Sequence, residues 1–186
     1  MGAAKPFMAA SREFAEVYGV KPLQVSQWIG RGVLDYTHAV VVSGSPYWPL
    51  GFVRGFGQTT ARPKEVRQEV LDRLVGEQSP GRWTSERGGI PPLAGAQEAQ
   101  RLFGLGNVAQ LSVLSVAGGV AQADYYLSGS PLWLLDSLLA KAPALRAQAR
   151  TLPWVVDEGV AEALREGRYD GPGSVVKPRG RAASRV

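Results

Sequence analysis

Apolar and polar positions follow a helical period from the start of the chain. Phe14, Ala15 and Val17 share one face of a short helix, and Ser11 stands where a capping hydroxyl is favoured. Gly19 predicts the end of that helix at a residue of positive φ. Lys21-Pro22 restarts a helix with proline in its first turn, where a missing N–H costs little. Val25, Trp28 and Ile29 fall at i, i+3 and i+4 and define a core-facing side. Gln24, Gln27 and Arg31 are left on the other face, with Ser26 at its edge. Gly32 breaks this second helix. The period then changes. Ala39-Val40-Val41-Val42 is largely β-branched, Ser43-Gly44-Ser45 is a tight turn, and Tyr47-Trp48 is an aromatic return, so a two-stranded hairpin is predicted.

The same pattern is written twice. Ser43-Gly-Ser-Pro-Tyr-Trp48 recurs 85 residues later as Ser128-Gly-Ser-Pro-Leu-Trp133, with five of six positions identical. At that offset Glu13 meets Glu98, Val17 meets Leu102, Tyr18 meets Phe103 and Gly19 meets Gly104. One inserted residue later, Gln24-Val-Ser26 meets Gln110-Leu-Ser112 and Gly32 meets Gly118. A helix follows each hairpin. Residues 63–75 carry Val66, Val70, Leu71 and Leu74 on one stripe. Residues 134–152 read helical with a break or kink at Pro143, and Pro153 opens a helix through Val156, Val160, Ala163 and Leu164.

Helix, glycine turn, helix and hairpin make a winged helix-turn-helix. The expected fold is mainly α with short β hairpins: two tandem winged helix-turn-helix units, each with a trailing helix. Unit 1 is expected at residues 9–83, a Gly/Pro-rich linker at 84–93, unit 2 at 94–169, and a basic disordered tail at 170–186. Gly19-Val20, Val25-Ser-Gln-Trp28-Ile29, Gly32 and Leu34, followed by strand, glycine-containing wing and aromatic strand, resemble the winged-helix domains of MerR-like regulators and of phage and plasmid excisionases. The resemblance covers about the first third of the chain. It implies a sequence-specific double-stranded DNA-binding protein: a transcriptional regulator, or an excisionase-like architectural protein of a mobile element. A small terminase-type packaging subunit and a protein-interaction module that no longer touches DNA are the alternatives.

Charge sharpens this picture. The formal net charge of +5 is unevenly spread. Residues 1–87 hold 11 basic and 8 acidic side chains, residues 88–167 hold 5 and 7, and residues 168–186 hold 5 and 1. Lys21, Gln24, Ser26, Gln27 and Arg31 are the candidate DNA contacts of the second helix, able to meet phosphates and base edges. Ser43 and Ser45 at the wing tip offer backbone N–H groups rather than a basic wing, and Arg54 follows the wing. Lys177, Arg179, Arg181 and Arg185 make the tail a candidate cationic arm.

The second copy reads differently. Residues 106–117 contain no charged side chain. Val113 and Val116 are left over once one stripe is assigned to the core, and exposed apolar positions of this kind mark an interface. Either the residue 63–75 helix covers them or a homodimer forms through unit 2.

Other chemistry is poorly supplied. There is no cysteine, and His38 is the single histidine, so thiolate sites, metal clusters and a Ser/His/Asp arrangement have no material. No catalytic residue, metal or cofactor is expected. The N-terminus has no long apolar stretch of the secretory kind, and no apolar run approaches a membrane span. A cytoplasmic protein without membrane contact is the expectation.

Overall fold

The structure, a computed structural model, describes residues 4–107, 109–112, 119–152 and 154–177. In chain order the elements are β1 (Lys5–Pro6), β2 (Met8–Ala10), α1 (Ser11–Val17), α2 (Pro22–Gly30), β3 (Val40–Val42), β4 (Ser45–Pro49), α3 (Leu50–Thr59), α4 (Gln68–Gln78) and β5 (Gly81–Arg82). They continue as β6 (Leu93–Ala94), α5 (Ala96–Leu102), α6 (Ala109–Ser112), β7 (Tyr125–Leu127), β8 (Ser130–Leu134), α7 (Leu135–Gln148) and α8 (Glu158–Arg165). Strand order is β2-β4-β3 in one sheet and β6-β8-β7 in its counterpart, while β1 and β5 form a parallel pair.

The chain divides into two compact units that are not contiguous blocks. Unit 1 comprises residues 1–40, 46–91 and 125–130; unit 2 comprises 41–45, 92–124 and 131–186. Each unit therefore includes the hairpin tip of the other repeat.

In unit 1, β2 runs antiparallel to β4 with Ala9 opposite Trp48. Phe14 of α1 is the centre of the core. Its ring lies 5.2 Å from Trp48 and 5.2 Å from Phe56, both edge-on, the favourable geometry for aromatic pairs. The Val17 carbonyl accepts from the Arg67 N–H at 2.8 Å, fixing the approach to α4. The Phe7 carbonyl accepts from the Leu50 N–H at 2.8 Å and sets the start of α3.

Unit 2 repeats these bonds with different side chains. Asp157 N–H donates to the Leu102 carbonyl at 2.8 Å, and Leu135 N–H to the Pro92 carbonyl at 2.9 Å. Ala94 lies opposite Trp133. Ala99 stands where unit 1 has Phe14, and the core is filled by Phe103, Trp133 and Trp154. The Phe103 and Trp154 rings are 5.5 Å apart.

Several expectations from sequence are corrected. The fold is not mainly α: the described residues form eight α-helices and three small sheets and are 44% helical and 15% strand, an α/β mix. The added strands precede each first helix. Phe7, Met8, Ala9 and Ala10 are all buried, so that stretch shows no alternation from which a strand could be read. Two helices, α3 and α4, follow the first hairpin where one was expected; the second hairpin is followed by α7 and α8, the two helical segments read from sequence. Pro143 lies inside α7 and does not break it. Ser11 is the first helical residue rather than the cap, which is Ala10. The expected linker is packed: Thr84 O accepts from Gly51 N at 3.0 Å, and Ile90 is buried. Residues 170–177 of the expected tail are held in place, with Gly173 O accepting from Gly44 N at 2.8 Å and Lys177 N donating to Gly44 O at 3.1 Å.

Candidate nucleic-acid interface

The turn between α1 and α2 is built by one residue. Gly19 has φ +62°, and the chain reverses so that Val20 N–H donates to Ala15 O at 2.9 Å. Pro22 then opens α2 at a position that needs no N–H donor. At the far end Gly32 has φ +69°, and Val33 N–H donates back to Trp28 O at 2.9 Å. Val25 and Trp28 anchor the helix. Trp28 packs 5.5 Å from Phe56 and 6.1 Å from Tyr18, measured between ring centres.

This anchoring decides what faces outward. Lys21, Ser26, Gln27 and Arg31 are exposed, and Gln24 is half-buried beside them. Five of the residues predicted from sequence are thus brought together on α2 and its flanks. No acid occurs between Tyr18 and Leu34. Lys21 and Arg31 make no ion pair among the described residues. Asp35 is the nearest acid after the helix. The Thr37 N–H, at 2.8 Å, and the Thr37 hydroxyl hold its carboxyl below the usual range, so it stays ionised. At the helix edge the Lys64 ammonium sits 5.6 Å above the Trp28 ring.

The remaining predicted residues stand elsewhere. Ser43 is engaged within unit 2: its N–H donates to Glu98 Oε1 at 2.8 Å and its hydroxyl to Glu98 Oε2 at 2.6 Å. The tip backbone is held too, because Gly44 bonds to Gly173 and Lys177. Ser45 is half-buried. A phosphate contact from this tip would have to displace existing bonds. Arg54, on α3, is exposed and stacks 4.5 Å above the Trp83 ring. Lys177 is exposed. Arg179, Arg181, Arg185, Val113 and Val116 lie outside the described residues, as do half of the positions of the apolar segment 106–117.

Sequence reasoning missed two features. Leu23 is 67% exposed on α2, among the polar residues and not against the core. The signal was its spacing, four residues before Gln27, which puts it on the outer face. Glu13 and Glu98 are buried rather than solvated, 8% and 2% exposed. Each sits three residues after the residue that precedes its helix and bonds back to that residue's N–H, Glu13 to Ala10 at 3.2 Å and Glu98 to Gly95 at 3.1 Å. Their identity at the repeat offset was the available sign.

Among the described residues no three His, Cys, Asp or Glu side chains converge as a metal cluster would require. Among the same residues, no helix is long and apolar enough to cross a membrane. Comparison with protein-family models, with curated proteins and with solved structures finds no match for this chain.

Proposed function

We propose that the protein binds double-stranded DNA sequence-specifically, with α2 of the first repeat as the reading helix. In that role it serves as a transcriptional regulator or an excisionase-like architectural protein. The observation that carries the reading is the outer face of α2. Exposed Lys21 and Arg31 bracket exposed Ser26 and Gln27, with no acid from residue 18 to residue 34. A helix of about this length, cationic at both ends and amide-bearing between, suits the major groove. The cations meet phosphates and fix register, while the amide pairs with base edges. The second helix after a short glycine turn is the one such proteins lay in the groove. The resemblance to MerR-like and excisionase winged helices points the same way.

The experiment is selection of a duplex from a random library, followed by titration at several salt concentrations. Affinity should fall steeply with salt, by about 0.9 in the log–log slope for each phosphate contacted. Gln24→Ala with Gln27→Ala should weaken the selected duplex by roughly 1–3 kcal/mol per lost contact and leave random duplex nearly unaffected. Equal loss on both duplexes removes the base-reading role. Binding to no duplex removes the function, and a salt-insensitive apolar partner would then favour a protein-interaction module.

A further inference from the structure

We infer that Leu23 reads a thymine methyl group, so that the recognised DNA carries a T·A pair facing the first turn of α2. This rests on the DNA-binding reading above and adds a specificity element to it. An aliphatic side chain 67% exposed on a helix whose other outward residues are polar contributes little to the fold. Leu23 is at the second position of α2, the end of a reading helix that enters the groove first. Gln27 lies one turn on along the same line, and both are outward-facing.

Gly30 continues that line at i+7. A Cβ there would meet nothing within 4 Å, so the protein's own packing does not require the glycine. Glycine within a helix is disfavoured against alanine, since it has more backbone freedom to lose. A bare backbone on the outer face leaves room for close approach. Apolar prong, amide and bare backbone therefore form one stripe, with Lys21 at one end and Arg31 at the other. The surrounding charge selects a polyanion over an apolar protein partner. In the major groove the apolar mark is the thymine C5-methyl, and a glutamine amide pairs with adenine N6 and N7. A thymine next to an adenine on the read steps satisfies both side chains.

The test uses the full chain and the selected duplex, replacing each thymidine in turn by deoxyuridine, which lacks only the methyl. At one position the wild-type protein should lose about fourfold in affinity, the worth of one methyl-sized apolar contact. Leu23→Ala should lose a similar factor on the unmodified duplex and show no further loss at that position. Unchanged melting will establish that this variant is folded, and the scan on the wild-type protein does not depend on any variant. If the protein binds its duplex but no deoxyuridine substitution matters, or if Leu23→Ala keeps the full methyl sensitivity, the assignment of Leu23 is wrong while DNA binding stands. If no duplex is bound, both fail together.

Discussion

The two repeats keep one backbone and fill it in different ways. Gly19 and Gly104 both have φ +62°, Ser43 and Ser128 both have φ +49°, and Gly44 and Gly129 both have φ +76°. Trp48 and Trp133 are both fully buried opposite alanines. Around these shared points the cores diverge. Unit 1 builds its centre from Phe14, Phe56 and Trp28. In unit 2 the matching positions of the first two, 85 residues on, are Ala99 and Lys141, and Trp154 supplies the missing bulk from the segment before α8. Counting back from the paired bonds of Arg67 and Asp157, Trp154 corresponds to Lys64 of unit 1. The large aromatic has moved from the first helix to a loop. Turn geometry and one tryptophan are what the fold demands, whereas the rest of the core volume can come from anywhere that reaches it.

The first way to break this comparison is at the shared tryptophan. Trp48→Ala and Trp133→Ala should each cost about 3–5 kcal/mol, because each leaves a cavity in a fully packed site. Each indole also loses a bond, from Trp48 Nε1 to Asp35 O at 3.4 Å and from Trp133 Nε1 to Ala121 O at 2.8 Å. Chemical denaturation of both variants measures this. If one repeat tolerates the change with wild-type stability, the tryptophan is not a common requirement.

A smaller effect is expected at the carboxylates. Within unit 1 Glu13 accepts from Ser128 N–H at 2.6 Å and from the Ser128 hydroxyl at 2.9 Å. Within unit 2 Glu98 does the same for Ser43. Glu13→Ala and Glu98→Ala each strand buried donors and should cost roughly 1–3 kcal/mol. Glu98 is the more buried and should cost more. The reverse order, or no loss at either site, would mean water replaces the carboxylate and the paired arrangement is not what holds the hairpin tips.

Much of this frame was legible in the sequence, and the exceptions have physical reasons. The glycine turn, the Pro22 start and the core side of α2 follow from local chemistry alone. Helix α3 did not announce itself, because Leu50–Thr59 contains three glycines and only Leu50, Arg54 and Gln58 as strong helix formers. Two of those glycines answer to distant neighbours. A Cβ at Gly57 would lie 2.7 Å from Tyr18 Cε1, and one at Gly51 would lie 2.6 Å from Ser85 Oγ. Local propensity is overridden there by close packing that only the folded chain reveals. Residues 84–93 and 170–177 misled for a related reason: glycine and proline were read as looseness where they serve tight approach. Gly173, for example, would bring a Cβ to 2.9 Å from Ser43 Cα. Of the candidate interface, the polar residues of α2 were visible by period, whereas Leu23 was legible only through its spacing, four residues before Gln27, because an apolar side chain is assigned to the core unless its face is worked out.

The smallest expected effect is the most discriminating, because it converts one repeat's solution into the other's. Tyr18 and Phe103 occupy the same position. The Tyr18 hydroxyl accepts from Gly57 N–H at 2.7 Å and donates to Val53 O at 2.5 Å. It thus stands between the two groups that an uninterrupted α3 would join directly, i+4 to i. Tyr18→Phe takes the hydroxyl out and lets that helical bond close, so the loss should be modest, about 1 kcal/mol. A pH signature separates this from simple packing loss. Burial pushes the Tyr18 phenol up, with the Gly57 N–H pulling it down in smaller measure. The folded state then holds the proton more tightly than the unfolded chain. The resulting stability is fully present below about pH 10, the unfolded value, and is lost as pH rises through the raised folded value. Tyr169 is raised as well, by burial first and then by Glu98, so the wild-type protein should lose stability through two phenols. Tyr18→Phe should remove one share of that alkaline loss and leave the other, which thermal melts between pH 8 and pH 11 would resolve. An unchanged alkaline slope would mean that the Tyr18 hydroxyl ionises freely in the fold, and the bridge across α3 would then not be the reason the first repeat has tyrosine where the second has phenylalanine.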